Sequence, residues 1–498
     1  MSGHEALGLV MLVVMIGVIF IGFPISFTLL FLALTFGYFG LGEMVFSLAY
    51  FQTIGMMKEE LLAAVPLFIF MGFLTEQAGL MERLFIALRL LLAPIRGSLF
   101  AVVILTATIF AMATGIVGAA VTVLGIMASP IMIKTGYNGA LSAGAITAGG
   151  TLGILIPPSV MLIVMGPVLG VSVADLYASA FGPGFLLAGL YLVYLLGRAF
   201  FNPSLGPPVP KEERIHSVPV IIKEVLLGVV PLVGLIAAAL GSILAGLATP
   251  TEAAGIGALG AMVLAACYGK LTYAGVKRAV LSTTATSAMV LLLATTSNIF
   301  GAVFARLGTA NWITEMMLAL PLSPVMMLVV VLFLIFLLGW PFEWPAIILV
   351  FLPIFYPVMD ALKPALGVAM GIPVDMVMVW FGALVAVTLQ TAFLSPPVAM
   401  SAYYLRQVVK EWSLGTIYKG MFEFMILQCI AIALIVAFPR IATEFPMQLQ
   451  AEARAVKTEE VDDSMNRLEE DTSKATPEEA EEEQGGDALE KDDPKAKK

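Results

Sequence analysis

The sequence contains few of the residues from which metal centres, disulfide frameworks and hydrolytic sites are built. It has 2 cysteines and 2 histidines among 498 residues. Cys267 and Cys429 lie in or beside apolar runs without metal-ligand spacing, and His4 and His216 fall near loops. The apolar runs hold no paired carboxylates and no nucleophile–base motif. The sequence therefore predicts neither a metalloenzyme nor an intramembrane hydrolase.

Charge is also scarce, and its excess is local. Charged residues make up 12% of the chain and hydrophobic residues 60%. Residues 451–498 carry 17 acidic and 8 basic side chains out of 35 and 26, so the rest of the chain has 18 of each. The net charge of −9 thus belongs to an acidic tail, which we expect to be disordered over 441–498. Because the rest of the chain has no excess of basic residues, we expect no nucleic-acid partner.

Long apolar runs fill the rest of the chain. A soluble domain of this size cannot hide so much apolar surface, and runs of about 17–25 residues cross the hydrocarbon of a bilayer. The sequence predicts an all-α polytopic membrane protein with spans at 5–22, 24–40, 62–79, 140–166, 180–200, 225–247, 252–268, 280–303, 374–402 and 421–438. The N-terminal run lacks the basic segment of a cleaved signal and is kept as a helix.

Two further apolar stretches, 98–134 and 324–358, are too long for one crossing and have glycine- or proline-marked middles, "AMATGIVGAA" and "LLGWPFEWPA". We interpret both as re-entrant helical hairpins. Four basic residues then face one side of the membrane: Lys58, Arg306, Lys363 and Arg440. Fourteen face the other: Arg83, Arg89, Arg96, Lys134, Arg198, Lys211, Arg214, Lys223, Lys270, Lys277, Arg278, Arg406, Lys410 and Lys419. The second side is therefore cytoplasmic, and both chain ends lie outside.

A proline pair occurs twice, each time in the middle of an apolar span that follows a hairpin. The segments are "GILIPPSVM" and "AFLSPPVAM", with Pro157 and Pro396 239 positions apart. The topology gives the two spans opposite directions. Two halves of opposite orientation, each with a hairpin and a broken helix, are typical of inverted-repeat secondary transporters.

The proline pairs should interrupt their helices and free backbone carbonyls inside the bilayer. Such carbonyls are tolerated only beside a cavity or an ion. Together with the hydroxyls of Thr147 and Thr151 they form a hard-oxygen environment suited to a small cation, and the broken helix end favours an anion. The second half repeats this pattern with Thr388, Gln390, Thr391 and Ser395 around Pro396 and Pro397.

Four segments in order resemble the large membrane subunit of the tripartite ATP-independent periplasmic (TRAP) transporters: "MATGIVGAAVTVLG", "GGTLGILIPPS", "TPTEAAGIGALGA" and "LSPPVAMSAYYLR". The resemblance covers roughly residues 5–440. It implies a multi-pass, elevator-type transporter of a bacterial inner membrane rather than an enzyme, with Na⁺ as coupling ion. It also implies a small four-helix membrane subunit and a periplasmic substrate-binding protein that delivers an organic acid.

The resemblance also implies two sodium sites between hairpin tips and broken helices. The first would comprise Thr114, Gly115, Gly118, Gly149, Gly150 and Gly153. The second would comprise Gly339, Trp340, Thr388, Gln390 and Thr391, with Glu343 as a further candidate. The first tip, often serine-rich in the family, has only Thr114 as a hydroxyl here, which favours backbone carbonyls as ligands. The organic anion would lie between the tips, with candidate contacts from Thr114, Gly118, Thr151, Ser159, Gln390, Ser395 and Arg306.

Other interpretations of the charged residues remain open at this point. Three roles are open for Glu343: it could tune the second cation site, it could titrate with H⁺, or it could lie in a solvent-filled opening between the hairpin helices. Arg306 holds a substrate carboxylate or only extends its side chain from a helix end towards water. Glu252, three residues after Thr249, is predicted to be a capping residue.

The predicted organisation assigns each half a fixed and a moving part. The segments are 1–80 first scaffold helices, 81–97 amphipathic arm, 98–134 first hairpin, 140–200 broken helix and next span, 201–224 cytoplasmic loop, 225–310 second scaffold helices, 311–323 second arm, 324–358 second hairpin, 374–440 broken helix and last span, and 441–498 tail. The alternatives are a stand-alone divalent-anion/Na⁺ symporter of related architecture and, more distantly, a channel subunit.

Overall fold

A computed structural model describes residues 2–208, 218–396 and 399–455, and within these ranges the chain is helical and has no strand. The first half holds α1 Gly3–Ile21, α2 Ile25–Leu41, α3 Met44–Met57, α4 Ala64–Gln77, α5 Leu80–Leu92, α6 Ser98–Thr114, α7 Val117–Lys134, α8 Gly139–Leu155, α9 Val160–Leu169 and α10 Val173–Phe201. Then follow α11 Val218–Gly228, α12 Val230–Leu244, α13 Pro250–Cys267, α14 Tyr273–Arg306, α15 Thr309–Leu318, α16 Pro324–Leu338, α17 Trp344–Ala346, α18 Leu352–Met370, α19 Val374–Leu394, α20 Met400–Val408 and α21 Leu414–Ala437. A last helix covers 440–455.

The helices are long and apolar enough for a membrane protein. Within the described ranges, ten continuous helical segments could each cross a bilayer, three of which join adjacent elements (Glu60–Gln77, Pro219–Leu244 and Trp344–Met370), and the bent pair α8–α9 would make an eleventh span. Large apolar side chains point outward at high exposure, for example Phe20 at 68% and Phe31 at 67%. Such a surface suits lipid and not water. The chain is an all-α polytopic membrane protein, as the sequence predicts.

Two helices form the centre of the molecule. Every residue of α19 from Met376 to Leu394 is buried, and so is every residue of α8 from Leu141 to Leu155. The hairpin helices α6 and α7 pack on α8, α16 packs on α19, and α21 contacts both central helices. At Gly420 the helix α21 comes so close to α8 that an added Cβ atom would lie 1.9 Å from the carbonyl oxygen of Ala140. The two broken spans are therefore the core on which both hairpins rest.

Both long apolar stretches turn back on themselves. The first consists of α6 and α7 around a tip at Gly115 and Ile116. The second consists of α16, a tip at 339–343, and a return leg formed by α17, a π-helix at Ile347–Phe351 and α18. This leg runs to Met370, beyond the predicted end at 358.

Other element bounds correct the sequence-based segments. The helix α3 lies where no span was predicted, and α14 has 34 residues and begins at Tyr273, before the predicted 280. Residues 218–224, predicted to be loop, begin α11. The tail predicted to be disordered from 441 is helical to 455, and residues 456–498 lie outside the described residues. Glu252 does form a capping box with Thr249 at the start of α13.

Candidate functional site

The first break interrupts the central helix at Ile156–Ser159, between α8 and α9, whose axes differ by 46°. The hydroxyl of Ser159 donates to the carbonyl of Ile154, which precedes the prolines and lacks its helical partner because Pro158 has no N–H. The Tyr177 hydroxyl donates to the Ser159 carbonyl at 3.4 Å. All residues of the break are buried. Side-chain hydroxyls therefore provide hydrogen bonds to some of the main-chain carbonyls at this proline-interrupted break.

The tip of the first hairpin lies against main-chain atoms of this break. Gly115 has φ +60°, a conformation that glycine adopts without strain. A Cβ atom added there would lie 3.5 Å from the carbonyl oxygen of Pro158 and 3.9 Å from that of Gly153. The geometry thus brings Gly115, Gly153 and two main-chain oxygens together. The side chain of Thr114 lies outside the described part of the structure.

Gly149 and Gly150 face the hairpin legs. A Cβ atom on Gly149 would lie 3.0 Å from Ala107 Cβ in α6, and one on Gly150 would lie 2.3 Å from Val121 Cγ2 in α7. Both glycines therefore allow the two legs to lie directly on α8. Their carbonyls belong to the same stretch of α8 as Gly153.

The second tip packs on the second broken span. A Cβ atom on Gly339 would lie 3.0 Å from Ala392 Cβ in α19. One turn away, the Thr388 hydroxyl donates to the Leu384 carbonyl at 2.8 Å, and the Thr391 hydroxyl donates to the Thr388 carbonyl at 2.6 Å. Each hydroxyl oxygen keeps lone pairs for a cation. Trp340 is 43% exposed, and Pro397 lies outside the described residues.

The two central helices α8 and α19 contact each other through Thr151 and Gln390. Thr151 Oγ1 lies 3.1 Å from Gln390 Oε1, and the two residues are 239 positions apart. Pro157 and Pro396 have the same separation, and so do Gly153 and Ala392, the residues that face the two tip glycines. Each hairpin tip therefore has a glycine that lies against one of the two central helices.

A cavity of about 220 Å³ lies between the tips. The first hairpin contributes Gly115–Gly118, and the second contributes Glu343, Trp344 and Pro345. Its remaining walls are Ile69, Ile154, Val160, Thr286, Met289, Val290, Phe393, Met400 and Tyr404. Gly118 faces the Tyr404 ring, because an added Cβ atom would lie 3.0 Å from the Tyr404 Cζ atom.

The predicted substrate contacts are distributed unevenly around this cavity. Gly118 lines it, as does Glu343 from the predicted cation set. Four residues do not line the cavity and are fully or almost fully buried: Thr151, Ser159, Gln390 and Ser395. Arg306 is exposed in the last turn of α14 and does not line the cavity. Sequence reasoning missed Tyr404 and Thr286, although "SAYYLR" follows the second break and "STTATS" is a hydroxyl run within a span.

The oxygen donors near the tips are mostly uncharged, and Glu343 is a carboxylate that lines the cavity. Among the described residues no group of three or more His, Cys, Asp or Glu side chains could hold a metal ion. Main-chain carbonyls lie next to the first tip, and the second tip packs on Ala392, within about one turn of the hydroxyls of Thr388 and Thr391. Hard oxygen ligands of this kind suit alkali cations rather than zinc or other transition metals.

Comparison with solved structures gives the class of protein. The fold is similar to that of the Alcanivorax borkumensis YdaH transporter, with a TM-score of 0.56, 16% identity and coverage of 81% of this chain and 90% of that one. It is also similar to Neisseria gonorrhoeae MtrF, with a TM-score of 0.52, 15% identity and coverage of 80% and 84%. The chain thus has the fold of membrane transporters.

The family follows from the sequence. Residues 12–441 match the model described as the tripartite ATP-independent periplasmic transporter, DctM component, and the chain belongs to this family. It is 28% identical to the sialic acid TRAP transporter large permease protein SiaM of Vibrio cholerae, over 86% of this chain and 96% of that protein. It is 29% identical to the C4-dicarboxylate protein DctM of Rhodobacter capsulatus, over 64% and 74%.

Membership settles several predictions. The chain is a large permease subunit, a multi-pass protein of the bacterial inner membrane, and not an enzyme. The family carries out secondary solute uptake together with a binding protein and a small membrane subunit.

Proposed function

We propose that this subunit couples the uptake of an organic acid to Na⁺ and moves it by an elevator mechanism. The observation that carries the proposal is the paired contact of tip glycines and central helices: Gly115 against Gly153, and Gly339 against Ala392, where Gly153 and Ala392 are 239 positions apart. An inverted repeat gives this arrangement, since each half supplies one hairpin, one broken helix and one ion site.

Na⁺ is favoured over H⁺ by the groups at the tips. A proton-coupled carrier needs titratable side chains in the bilayer. The first tip instead meets main-chain carbonyls, and the second packs on Ala392, within about one turn of the hydroxyls of Thr388 and Thr391. Glu343 is the one carboxylate among the residues that line the tip cavity. Bound Na⁺ would offset the charge of an organic anion, which lowers the cost of carrying it through a low-dielectric region.

The moving part in this proposal holds the two hairpins, the broken helices and their neighbours α10 and α21. The fixed part holds α1–α4 and α12–α14, and it meets the tip cavity at Ile69 of α4 and at Thr286 of α14. The arms α5 and α15 connect the two parts in sequence. The small four-helix subunit would extend the fixed part, and the periplasmic protein would dock on the outer face.

The substrate class rests on the cavity and on the relatives. Relatives are named for sialic acid and for C4-dicarboxylates, which both carry carboxylates. A cavity flanked by two cation sites suits such an anion. We therefore expect an organic acid, delivered by the periplasmic protein.

Reconstitution tests the proposal. Permease and small subunit are placed in liposomes, and uptake of radiolabelled sialic acid and succinate is measured with and without the cognate binding protein. We expect accumulation that needs an inward Na⁺ gradient and the binding protein. Equal uptake in K⁺ with a proton gradient would overturn Na⁺ coupling. Uptake of free substrate by the permease alone would favour the stand-alone symporter, and equilibration without accumulation a channel.

A further inference from the structure

We propose that the moving part slides along α14. The tip cavity would face a polar position on α14 at each end of the slide, and we call these two positions the inner and the outer station. In this structure Thr286 closes the cavity; after outward movement Ser297 and Asn298 would close it instead. The proposal rests on the elevator mechanism above and deepens it, because it names the scaffold residues that complete the outward-facing site and the length of the stroke.

A second cavity marks the outer station. It has about 530 Å³ and lies further along the same helix. The fixed part lines it with Gln52, Gly55, Met56 and Glu59 around the end of α3, and with residues of α14 from Ala294 to Ala305. On its other side lie Pro167 and Val168 of α9 and residues 349–354 of the second hairpin. The space therefore separates the same two parts that enclose the tip cavity.

Both cavities open on one face of α14. Six of the α14 residues that line the two cavities follow one another at intervals of three or four: Thr286, Val290, Ala294, Ser297, Gly301 and Ala305. This spacing places them in one stripe along the helix. Thr286 and Ser297 are eleven residues apart, which is about three turns or ~16 Å. A slide of this length brings the tips to the outer station without rotation about α14.

The polar groups occur at the two ends of the stripe. Thr286 stands at the inner end. At the outer end Ser297 Oγ is buried and finds no hydrogen-bond partner within the described part of the chain. Beside it the Asn298 side chain donates to Gln52 Oε1 at 2.9 Å. Val290 and Ala294 lie between the stations. The substrate-loaded moving part would thus face hydrogen-bonding groups of α14 at both end positions and apolar side chains of α14 in between.

The outer station lies on the side of substrate delivery. Lys58 and Arg306, at the ends of α3 and α14, belong to the small basic set that the positive-inside rule assigns to the periplasmic face. The cavity lies beside both helix ends. An amide and a hydroxyl there can offer donors to the carboxylate of an arriving substrate.

Cysteine cross-linking tests the two stations. In a background with Cys267→Ser and Cys429→Ala, Tyr404→Cys is combined with Thr286→Cys, with Asn298→Cys, or with Leu292→Cys as a lipid-facing control at 44% exposure. We expect a short bismaleimide to link 404 to 286 and 404 to 298, but not 404 to 292. Linkage to 286 alone under every Na⁺ and substrate condition would overturn the outer station. Na⁺-driven uptake measured in parallel on the unsubstituted chain shows whether the underlying function holds.

A bulky side chain on this face of α14 provides a second test. An added Cβ atom meets nothing within 4 Å at Gly301 in the outer cavity, nor at Gly234 of the scaffold helix α12. Gly301→Phe should fill the outer station and lower uptake by about tenfold or more, since the outward state is blocked. It should keep the 404–286 link and lose the 404–298 link. Gly234→Phe should behave as the parent chain. Undiminished uptake by Gly301→Phe would contradict the slide along α14.

Discussion

The two hairpin tips occupy corresponding places but are built from different chemistry. The first tip is a two-residue turn, Gly115 and Ile116, between regular helices, and it meets its broken span at Gly153 through main-chain atoms. The second tip has five residues, carries Glu343, and returns through a π-helix. It meets its span beside the hydroxyls of Thr388 and Thr391. The comparison teaches that backbone position, and not residue type, makes the two regions equivalent.

The difference has a consequence for substitutions. A carbonyl ligand cannot be deleted by a side-chain change, but it can be displaced when the backbone that presents it is disturbed. A hydroxyl ligand can be removed while the backbone stays in place. The first tip should therefore respond to backbone conformation, and the second to side-chain chemistry.

The largest effect is expected at Gly115. Gly115→Val places a β-branched residue in the left-handed region, at a cost of about 1–2 kcal/mol, and puts its Cβ atom 3.5 Å from the Pro158 carbonyl oxygen. We expect Na⁺-dependent uptake to be lost and ²²Na⁺ binding to fall by one site.

The matched control is Gly136→Val, because Gly136 has φ +74° and an added Cβ atom there meets nothing within 4 Å. It carries the same backbone strain away from the tips. Equal ²²Na⁺ binding by the two variants would show that Gly115 does not form part of an ion site.

A smaller effect is expected at the second tip. Thr391→Val removes one hydroxyl and keeps the shape of the side chain. Losing one ligand to a charged group should raise the Na⁺ concentration for half-maximal uptake by about tenfold. Thr296→Val is the control, since Thr296 is a buried threonine of α14 whose hydroxyl donates to the Leu292 carbonyl at 3.0 Å. An unchanged Na⁺ dependence in Thr391→Val would place the second cation elsewhere.

The sequence predicts the architecture well because membrane helices carry their signal locally. Apolar length, the proline pairs and the charge asymmetry indicate spans, hairpins and breaks without knowledge of any contact. The helix α3 was not predicted, because its 14 residues are too few to cross the bilayer and the prediction was based on apolar runs of spanning length. The helix at residues 440–455 was not predicted. The disordered tail was predicted from charge composition, which does not indicate whether a segment forms a local helix.

The site is harder to predict, because its members come together only through packing. Gly115 and Gly153 were named from motifs and do meet. Thr286 reaches the cavity from a helix that no motif links to the tips, and Tyr404, although it lies within "LSPPVAMSAYYLR", reaches it only through the packing of α20. The positions of Gln390 and Ser395 outside the cavity lining depend on which face of α19 and its end turns inward. On a helix buried on all sides, hydrophobic periodicity does not reveal that face.

The smallest effect is expected at the contact between Thr151 and Gln390. This prediction tests whether the two central helices, α8 and α19, stabilise each other through that contact. Removal of either partner leaves a polar group buried, so Thr151→Val and Gln390→Leu should each lower the free energy of unfolding. The double variant should be less destabilised than the sum of the two by about 1 kcal/mol. Chemical unfolding of the purified permease in detergent would measure the three values. Strict additivity would mean that the 3.1 Å contact contributes nothing, and that the two broken helices meet there by proximity alone.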